Sequence, residues 1–431
     1  MRPGRIALLL LVLLPPPAAA GVPGDLETFV DALAGLRRIT VATLRVARPG
    51  DPGFTANGLE IELPGSPEKG YRLQLARLAD NARPPRFAAL RLGFEAVPAP
   101  TVLRLSGNLE IPGTPVRIGL EGRHDPATGA GVLRIDGGRI VFSAGGLQPA
   151  ALSPRLGDRL RAVVGSIGFF ARVEWGPASR QLAEVAIENL SFELAGIPMT
   201  GIAGRIAFDR LLPPATLPGQ ELTIERVGAA PALERGRIRF SLADGTRLTV
   251  HRLEFAIAGG GLRARPFRLD LARPRGSVTL HLEDLALEVL LARAGLPGLS
   301  GEGVLDGRLV ARLAPGTVVI EEGELAARGP GRLRYAPEEP PPLSDPRMVM
   351  LLEAIRNFHF TRLAVNVAGD LLDELRLTIG LSGSNPDFYE GYPVALNLSF
   401  EGPLGALLGA GIRTYRLPAE IQRRLQQQRP R

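Results

Sequence analysis

The 431-residue sequence contains no cysteine. This absence excludes a disulfide framework, a thiolate metal site and the lipid-modified cysteine of a lipoprotein anchor. The fold must therefore be held together by its own apolar core.

Histidine is almost as scarce, and the four histidines stand apart from one another: His124, His251, His281 and His359. They form no His-x-x-x-His pair, and no carboxylate accompanies them at a spacing suited to metal ligation. We therefore expect each histidine to lie on the surface or at the rim of the fold.

Two other residues come close to catalytic motifs without completing them. Lys69 lies between Glu68 and Gly70, which excludes a phosphate-binding loop. Ser300 is in Gly-Leu-Ser-Gly-Glu, which lacks the last glycine of a nucleophile elbow. The sequence thus predicts no catalytic residue, no metal site and no cofactor.

Positive charge is carried by arginine, since Lys69 is the only lysine, and the formal net charge is +7. Aromatic residues make up only 5% of the chain, and no basic cluster is interleaved with them. Without such a cluster we expect no nucleic-acid binding.

Long apolar runs are missing after the amino terminus. Residues 1–20 have the three parts of a secretory signal: Arg2 and Arg5, the apolar run from Ile6 to Leu14, and Ala18-Ala19-Ala20. We expect export with cleavage after Ala20, the alternative being an uncleaved inner-membrane anchor. No later run reaches the roughly 18 apolar residues of a membrane-spanning helix.

What the chain does contain is apolar alternation with a period of two, which predicts strands with one apolar face. Such strands favour antiparallel pairing. Five clear examples are Ile238/Phe240/Leu242, Val278/Leu280/Leu282, Leu363/Val365/Val367, Leu375/Leu377/Ile379 and Val394/Leu396/Leu398/Phe400.

Helical spacing is limited to four short segments. One begins at Asp25, and one follows the Ser153-Pro154 cap through Leu160 and Val164. A third runs through Leu287 and Leu291 to Gly295, and the last begins near residues 344–346 and reaches Ile355. A few short helices that cap a sheet are expected.

A nine-residue segment occurs twice in similar form. Residues 201–209 align without gaps on residues 298–306. Both copies introduce a predicted strand, which is typical of a modular fold.

The last hundred residues resemble a known family. Gly329-Pro330-Gly331-Arg332, Gly369-Asp370, Gly383-Ser384-Asn385-Pro386, Tyr392-Pro393 and Gly402-Pro403-Leu404 follow one another in order. This set is similar to the carboxy-terminal segment of the YdbH-like branch of AsmA-like proteins, which move phospholipids between the two membranes of Gram-negative bacteria.

The resemblance implies a mainly β fold: an elongated antiparallel sheet curled into a taco-like groove whose apolar interior holds acyl chains. Together with the signal segment and the repeat, it predicts four parts: 1–20, the signal peptide or anchor; 21–190, the amino-terminal part of the groove; 191–315, a repeat-like unit with a short helix; and 316–431, the YdbH-like region with terminal helices. About 20–28 strands at the usual 4.8 Å spacing would form such a sheet.

The candidate groove residues are the apolar positions of the alternating strands: Ile238, Phe240, Val278, Leu280, Leu363, Val365, Val367, Leu377, Ile379, Val394, Leu396 and Leu398. Alternation alone favours a packed core, as in a β-sandwich or β-helix. The resemblance favours the groove.

These expectations describe a periplasmic protein that is not an enzyme and that offers phospholipids a path between inner and outer membranes. The resemblance implies a small outer-membrane lipoprotein as the partner at the last strand, near Tyr392 to Phe400. The alternative is that the chain's own residues after 404 fold back and cover that strand. The alternatives to phospholipid transport are a structural factor for outer-membrane assembly and a polysaccharide-acting or adhesive β-solenoid.

Overall fold

The computed structural model describes residues 36–63, 70–157, 159–177, 179–194, 196–211, 213–228, 232–294, 297–314, 317–337, 352–371 and 373–402. These residues form one sheet of 24 strands. Every pairing whose register is resolved is antiparallel, as between β1 and β2 or β23 and β24. The predicted mainly β, antiparallel fold is confirmed, and the strand number lies within the expected range.

The strands follow closely on one another along the chain. The first twelve are β1 (Arg38–Arg48), β2 (Asp51–Glu62), β3 (Tyr71–Asp80), β4 (Leu90–Pro98), β5 (Leu103–Glu110), β6 (Arg117–His124), β7 (Gly131–Phe142), β8 (Leu160–Trp175), β9 (Arg180–Leu194), β10 (Ile197–Leu211), β11 (Pro214–Thr216) and β12 (Gln220–Val227). The remaining twelve are β13 (Leu233–Ala243), β14 (Arg247–Ile257), β15 (Gly260–Ala264), β16 (Phe267–Asp270), β17 (Gly276–Ala286), β18 (Leu299–Glu302), β19 (Val304–Ala314), β20 (Thr317–Ala327), β21 (Gly331–Tyr335), β22 (Phe358–Asp370), β23 (Leu375–Ser384) and β24 (Val394–Gly402).

Helices are few and short among the described residues. They are α1 (Pro149–Leu152), α2 (Leu287–Ala294), a helical turn at 352–355 and two 3-10 turns, Pro154–Leu156 and Tyr389–Gly391. In this described part of the chain, no helix is long and apolar enough to cross a bilayer.

The prediction of α2 is confirmed, whereas the helix predicted from Ser153 through Val164 is wrong. Pro154 starts only a 3-10 turn, and β8 then begins at Leu160 and pairs with both β7 and β9. Val164, which the prediction placed on the apolar face of this helix, is 45% exposed. The sheet pairing overrides the local helical spacing.

Two other predicted helices cannot be compared in full. The helix predicted at Asp25 lies outside the described residues. Most of the helix predicted from residues 344–346 to Ile355 also lies outside them, and its last residues, 352–355, are helical. The signal segment 1–20 also lies outside the described residues.

The sheet divides into two compact units. The first is Met1–Thr223 with Ser241–Thr246, and the second is Ile224–Phe240 with Arg247–Arg431. The two copies of the sequence repeat fall in different units: 201–209 lies within β10, whereas 298–306 is divided between β18 and β19.

In the first unit, the inner face of β3 to β7 is a packed core. Its buried members are Leu73, Leu75, Phe94, Ala96, Leu103, Leu105, Leu120 and Leu133. The register places them side by side, as in the pairs Leu73–Phe94 and Ala96–Leu105. Full burial of a leucine contributes about 1.5–3 kcal/mol, so this cluster stabilises the amino-terminal strands strongly.

Glycines on the inner face make room for bulky neighbours. Gly107 lies opposite Phe94, and a Cβ added to it would lie 2.9 Å from that ring. Gly131 faces Trp175 in the same way, with the indole 2.3 Å from the added Cβ. Such pairs allow a sheet to bend, because the backbone can approach the large side chain.

A salt bridge fixes the connection between β3 and β4. The Asp80 side chain is 0% exposed and lies 2.7 Å from Nη2 of Arg86. The hydrogen bond from Arg86 is the main cause that lowers the pKa of Asp80 to about 2. Ser153 donates a hydrogen bond to the Arg86 carbonyl, at 2.7 Å, and so ties the turn after α1 to this connection.

On the outer face of the first strands, ion pairs connect neighbouring strands. Arg38 contacts Glu62 at 2.8 Å, and Arg72 bridges Glu62 and Glu95 across β2, β3 and β4. These side chains are well exposed, so each pair stabilises the fold by at most about 1 kcal/mol. They leave the outer face polar, in contrast to the inner one.

His124 corrects the expectation that every histidine lies on the surface. It is 6% exposed, and its Nδ1 accepts a hydrogen bond from Nε1 of Trp175 at 3.2 Å. Burial lowers its pKa below the ordinary value of 6.5, although a hydrogen bond with the Ala130 carbonyl and the Asp125 charge act in the opposite direction. His251 and His359 are exposed, as expected.

The His124–Trp175 contact can be tested by fluorescence, because Trp175 is the only tryptophan in the sequence. Since the folded pKa of His124 is depressed, the unfolded chain takes up the proton first as the pH falls through about 6.5. Urea unfolding can be followed by Trp175 fluorescence. We expect the free energy of unfolding of the wild type to fall between pH 8 and pH 5, and we expect a smaller fall in His124→Gln. The control is His359→Gln. An unchanged pH dependence in His124→Gln would contradict the assignment.

Candidate functional site

The inner face of the second unit is an apolar surface built from six strands in register. Leu363 lies opposite Leu381, Val365 opposite Ile379, and Val367 opposite Leu377. The next strand continues these rows, with Leu396, Leu398 and Phe400 opposite Leu381, Ile379 and Leu377. Residues that alternate along the sequence thus meet across the sheet.

Two parallel rows in the middle of this face cross the strands from β17 to β24. One runs through Leu282, Gly307, Leu325, Val365, Ile379 and Leu398. The other runs through Leu280, Leu309, Gly323, Val367, Leu377 and Phe400.

Most large side chains of these two rows are only half-buried, and Phe400 is 45% exposed. We call this surface the apolar belt: Leu280, Leu309, Leu325, Val365, Val367, Leu377, Ile379, Leu398 and Phe400. A partly accessible apolar surface of this extent marks a binding surface more often than a finished core.

Fully buried residues flank the belt on both sides. On one side lie Leu285 with Leu305, and Leu363 with Leu381 at 5% and 3% exposure. On the other side, Val278, Ala311 and Ile320 form a buried row that continues through Gly369 to Leu375. The accessible surface is therefore bounded along its length by packed walls.

Phe360 closes the end of the face next to α2. It is 1% exposed, and its neighbours in register are Gly331 and Gly383. A Cβ on Gly331 would lie 2.3 Å from the ring, so only glycine admits the phenyl group there. Phe358 beside it is completely buried.

The sequence-predicted groove residues fall into four groups. Leu280, Val365, Val367, Leu377, Ile379 and Leu398 are in the belt, and Val394 and Leu396 are half-buried on the adjoining part of β24. Val278 and Leu363 belong to the buried walls.

Ile238 and Phe240 are on β13, farther from the belt. Ile238 is half-buried and Phe240 is buried. A Cβ on Gly236 would lie 2.2 Å from the Phe255 ring, which places the alternating positions of β13 on the same side as Phe255. Phe255 in turn lies opposite Leu262, which is opposite Leu282.

Sequence reasoning missed three belt residues, Leu309, Leu325 and Phe400. Phe400 was in an alternating strand but was not chosen as a groove residue. Leu305, Leu309 and Leu313 share one face of a strand, with glycine and alanine at the positions between them on that face. This pattern could have identified Leu309 as an inner-face residue.

The arrangement offers apolar contact and no reactive chemistry in the belt itself, because all its side chains are aliphatic or phenyl groups. The belt can therefore hold a chain of methylene groups by burial.

Comparison with known proteins extends the resemblance beyond the carboxy-terminal third. Residues 32–426 match the family model described as YdbH-like, intermembrane phospholipid transport protein YdbH. No match was found among curated proteins or among solved structures. Because the matched segment includes nearly all of the described sheet, the chain belongs to the YdbH-like family of intermembrane phospholipid transport proteins.

Proposed function

We propose that the inner face of the sheet is a groove that carries the acyl chains of phospholipids between the inner and outer membranes. The observation that supports this is the apolar belt, a half-buried surface that crosses six strands between buried walls. A finished core would be buried in the middle of the face, whereas here the middle is the accessible part.

The physical advantage of such a groove is large. Each CH₂ group exposed to water costs about 0.8 kcal/mol, so two acyl chains cannot cross an aqueous space unaided. A groove replaces this water with apolar side chains along the path. At the polar rim of such a groove the headgroup stays in water.

The proposed location is the periplasm, after export directed by residues 1–20 or with that segment retained as an inner-membrane anchor. The YdbH-like family acts between membranes, which supports an envelope location.

We also propose that β24 docks a small outer-membrane lipoprotein. Among the described strands, β24 pairs with β23 alone, so its other edge presents backbone donors and acceptors. An edge of this kind can accept an added strand from a partner. The chain's own residues 403–431 are the competing occupant.

One experiment tests both parts of the proposal, because Leu398 and Ser399 are neighbours whose side chains point to opposite faces of β24. Photoreactive benzoylphenylalanine is placed at either position in cells. We expect lipid adducts, identified by mass spectrometry, from Leu398 and adducts to another polypeptide near Ser399. Absence of lipid from Leu398 would contradict the groove. Adducts from Ser399 only to residues 403–431 would contradict the partner.

A second candidate function is a structural role in outer-membrane assembly without lipid conduction. The packed core of the first unit favours it, because Leu73, Phe94, Leu105 and Leu120 leave little accessible apolar surface between β3 and β7. The same photocrosslinking, with the probe at Phe94, distinguishes the two. Lipid adducts there would show that the packed region opens for lipid, and their absence together with absence at Leu398 would favour the structural role.

A further inference from the structure

The turn between β16 and β17 combines exposed positive charge with exposed apolar surface. Leu271 is 43% exposed, and Arg273 and Arg275 beside it are exposed as well. We call residues 270–275 the arginine turn. Its single acid, Asp270, accepts the Ala272 N–H at 2.9 Å and so shapes the turn.

The arginines of this region lack the ion pairs that occur on the neighbouring strands. Arg263 contacts Glu283 at 3.0 Å and Arg312 contacts Glu321 at 2.6 Å. By contrast, Arg268, Arg273 and Arg275 form no salt bridge to any described residue. Within the described part of the chain, no carboxylate neutralises these three arginines, so their charges can meet an anion from outside it.

An apolar stripe leads from the inner face to this turn. Phe267 and Leu269 on β16 lie opposite Val250 and Leu248, and Val250 is 1% exposed. Phe267 and Leu269 are half-buried, and exposure then rises at Leu271. Arg268 alternates with them and lies on the outer side.

The turn is also within reach of the belt. Gly276, the first residue of β17, is four positions before Leu280, which is about 13 Å at the strand rise of 3.3 Å per residue. A phospholipid with its chains on Leu280 and Leu309 could reach Arg273 and Arg275 with its phosphate over such a distance by extending across Val278, the wall residue that lies between them on β17. Arginine binds phosphate through charge-assisted, bidentate hydrogen bonds.

We propose that the arginine turn binds the headgroup phosphate of a phospholipid whose acyl chains lie in the apolar belt. The proposal rests on the proposed groove function and adds to it a site that distinguishes phosphate-bearing lipids from neutral ones. The occupant is one lipid molecule in the groove, and charge complementarity with the unpaired arginines selects it.

The test compares two lipids with the same chains, short-chain phosphatidylglycerol and the corresponding diacylglycerol, which lacks the phosphate. Binding to the purified full chain is measured for wild type and for Arg273→Gln/Arg275→Gln. We expect the double variant to lose at least about 10-fold in affinity for phosphatidylglycerol, the loss of one or two charge-assisted hydrogen bonds. Diacylglycerol binding should stay within about twofold, because the belt is unchanged.

The matched control is Arg104→Gln/Arg123→Gln, which removes the same charge from exposed, directly opposed arginines of the first unit. Equal loss in the control would show a long-range charge effect and overturn the site. Loss of both lipids in the Arg273/Arg275 variant, or of neither, would also overturn it.

Two further outcomes separate this inference from the groove itself. If wild type binds neither lipid, the groove function fails together with the site. If the Arg273/Arg275 variant binds monomeric lipid normally but no longer sediments with phosphatidylglycerol vesicles, the turn contacts a bilayer surface and the single-lipid proposal is wrong.

Discussion

Val365→Asp should abolish lipid transfer while the protein remains folded. Val365 is in the middle of the apolar belt, between Leu325 and Ile379, and is only half-buried. Water can therefore hydrate the new carboxylate, and we expect a stability loss of no more than about 1–2 kcal/mol. A charge in the acyl path opposes every passing chain, so transfer between donor and acceptor vesicles should fall by about 10-fold or more.

Leu363→Asp is the matched control for this prediction. Leu363 is two residues earlier on the same strand and the same face, but it is 5% exposed. The substitution removes a buried leucine, at about 2–5 kcal/mol, and leaves a carboxylate without a partner. We expect the second unit to unfold, since whole proteins are stable by only about 5–15 kcal/mol.

Circular dichroism and thermal melting of the two variants decide between groove and packed core. The groove predicts a folded Val365→Asp protein beside an unfolded Leu363→Asp protein. Equal, gross unfolding of both would show that the belt is core, and the proposed groove would then be wrong.

The sheet could be predicted from the sequence because its signal is local. Alternation at Leu363, Val365 and Val367 identifies β22 and also says which side chains share a face. The same pattern identified β13, β17, β23 and β24. Since one face of each strand is apolar, antiparallel pairing followed, and the structure confirms it.

Burial within the apolar face could not be predicted, because it depends on contacts that are distant in sequence. Leu363 and Val365 have the same pattern and neighbouring positions, yet one lies in a wall and the other in the belt. His124 is a similar case, because its burial depends on Trp175, 51 residues away. A single-sequence pattern contains no information about such partners.

The prediction of a helix after Ser153 was wrong for a related reason. A proline after a serine and apolar residues at helical spacing are local signals, and they do produce the 3-10 turn at Pro154–Leu156. Strand β8 then gains pairing with two neighbours over most of its length. The backbone hydrogen bonds of a doubly paired strand outweigh helix propensities of less than about 1 kcal/mol per residue.

Phe360→Ala should destabilise the second unit strongly. The ring is 1% exposed and lies between Gly331 and Gly383, whose missing side chains leave the space it fills. Truncation leaves a cavity that those glycines cannot fill. Phenylalanine-to-alanine changes in such sites cost about 3–5 kcal/mol.

Phe400→Ala provides the control, since it makes the same chemical change on the same face of the sheet. Phe400 is 45% exposed on β24, so the loss of its ring should cost less than about 1.5 kcal/mol. Urea unfolding monitored by circular dichroism gives both values. The difference between them measures how much more tightly the side chains pack around Phe360 than in the belt. Similar losses in the two variants would mean that Phe400 is covered in solution, and the belt would then be closed at β24.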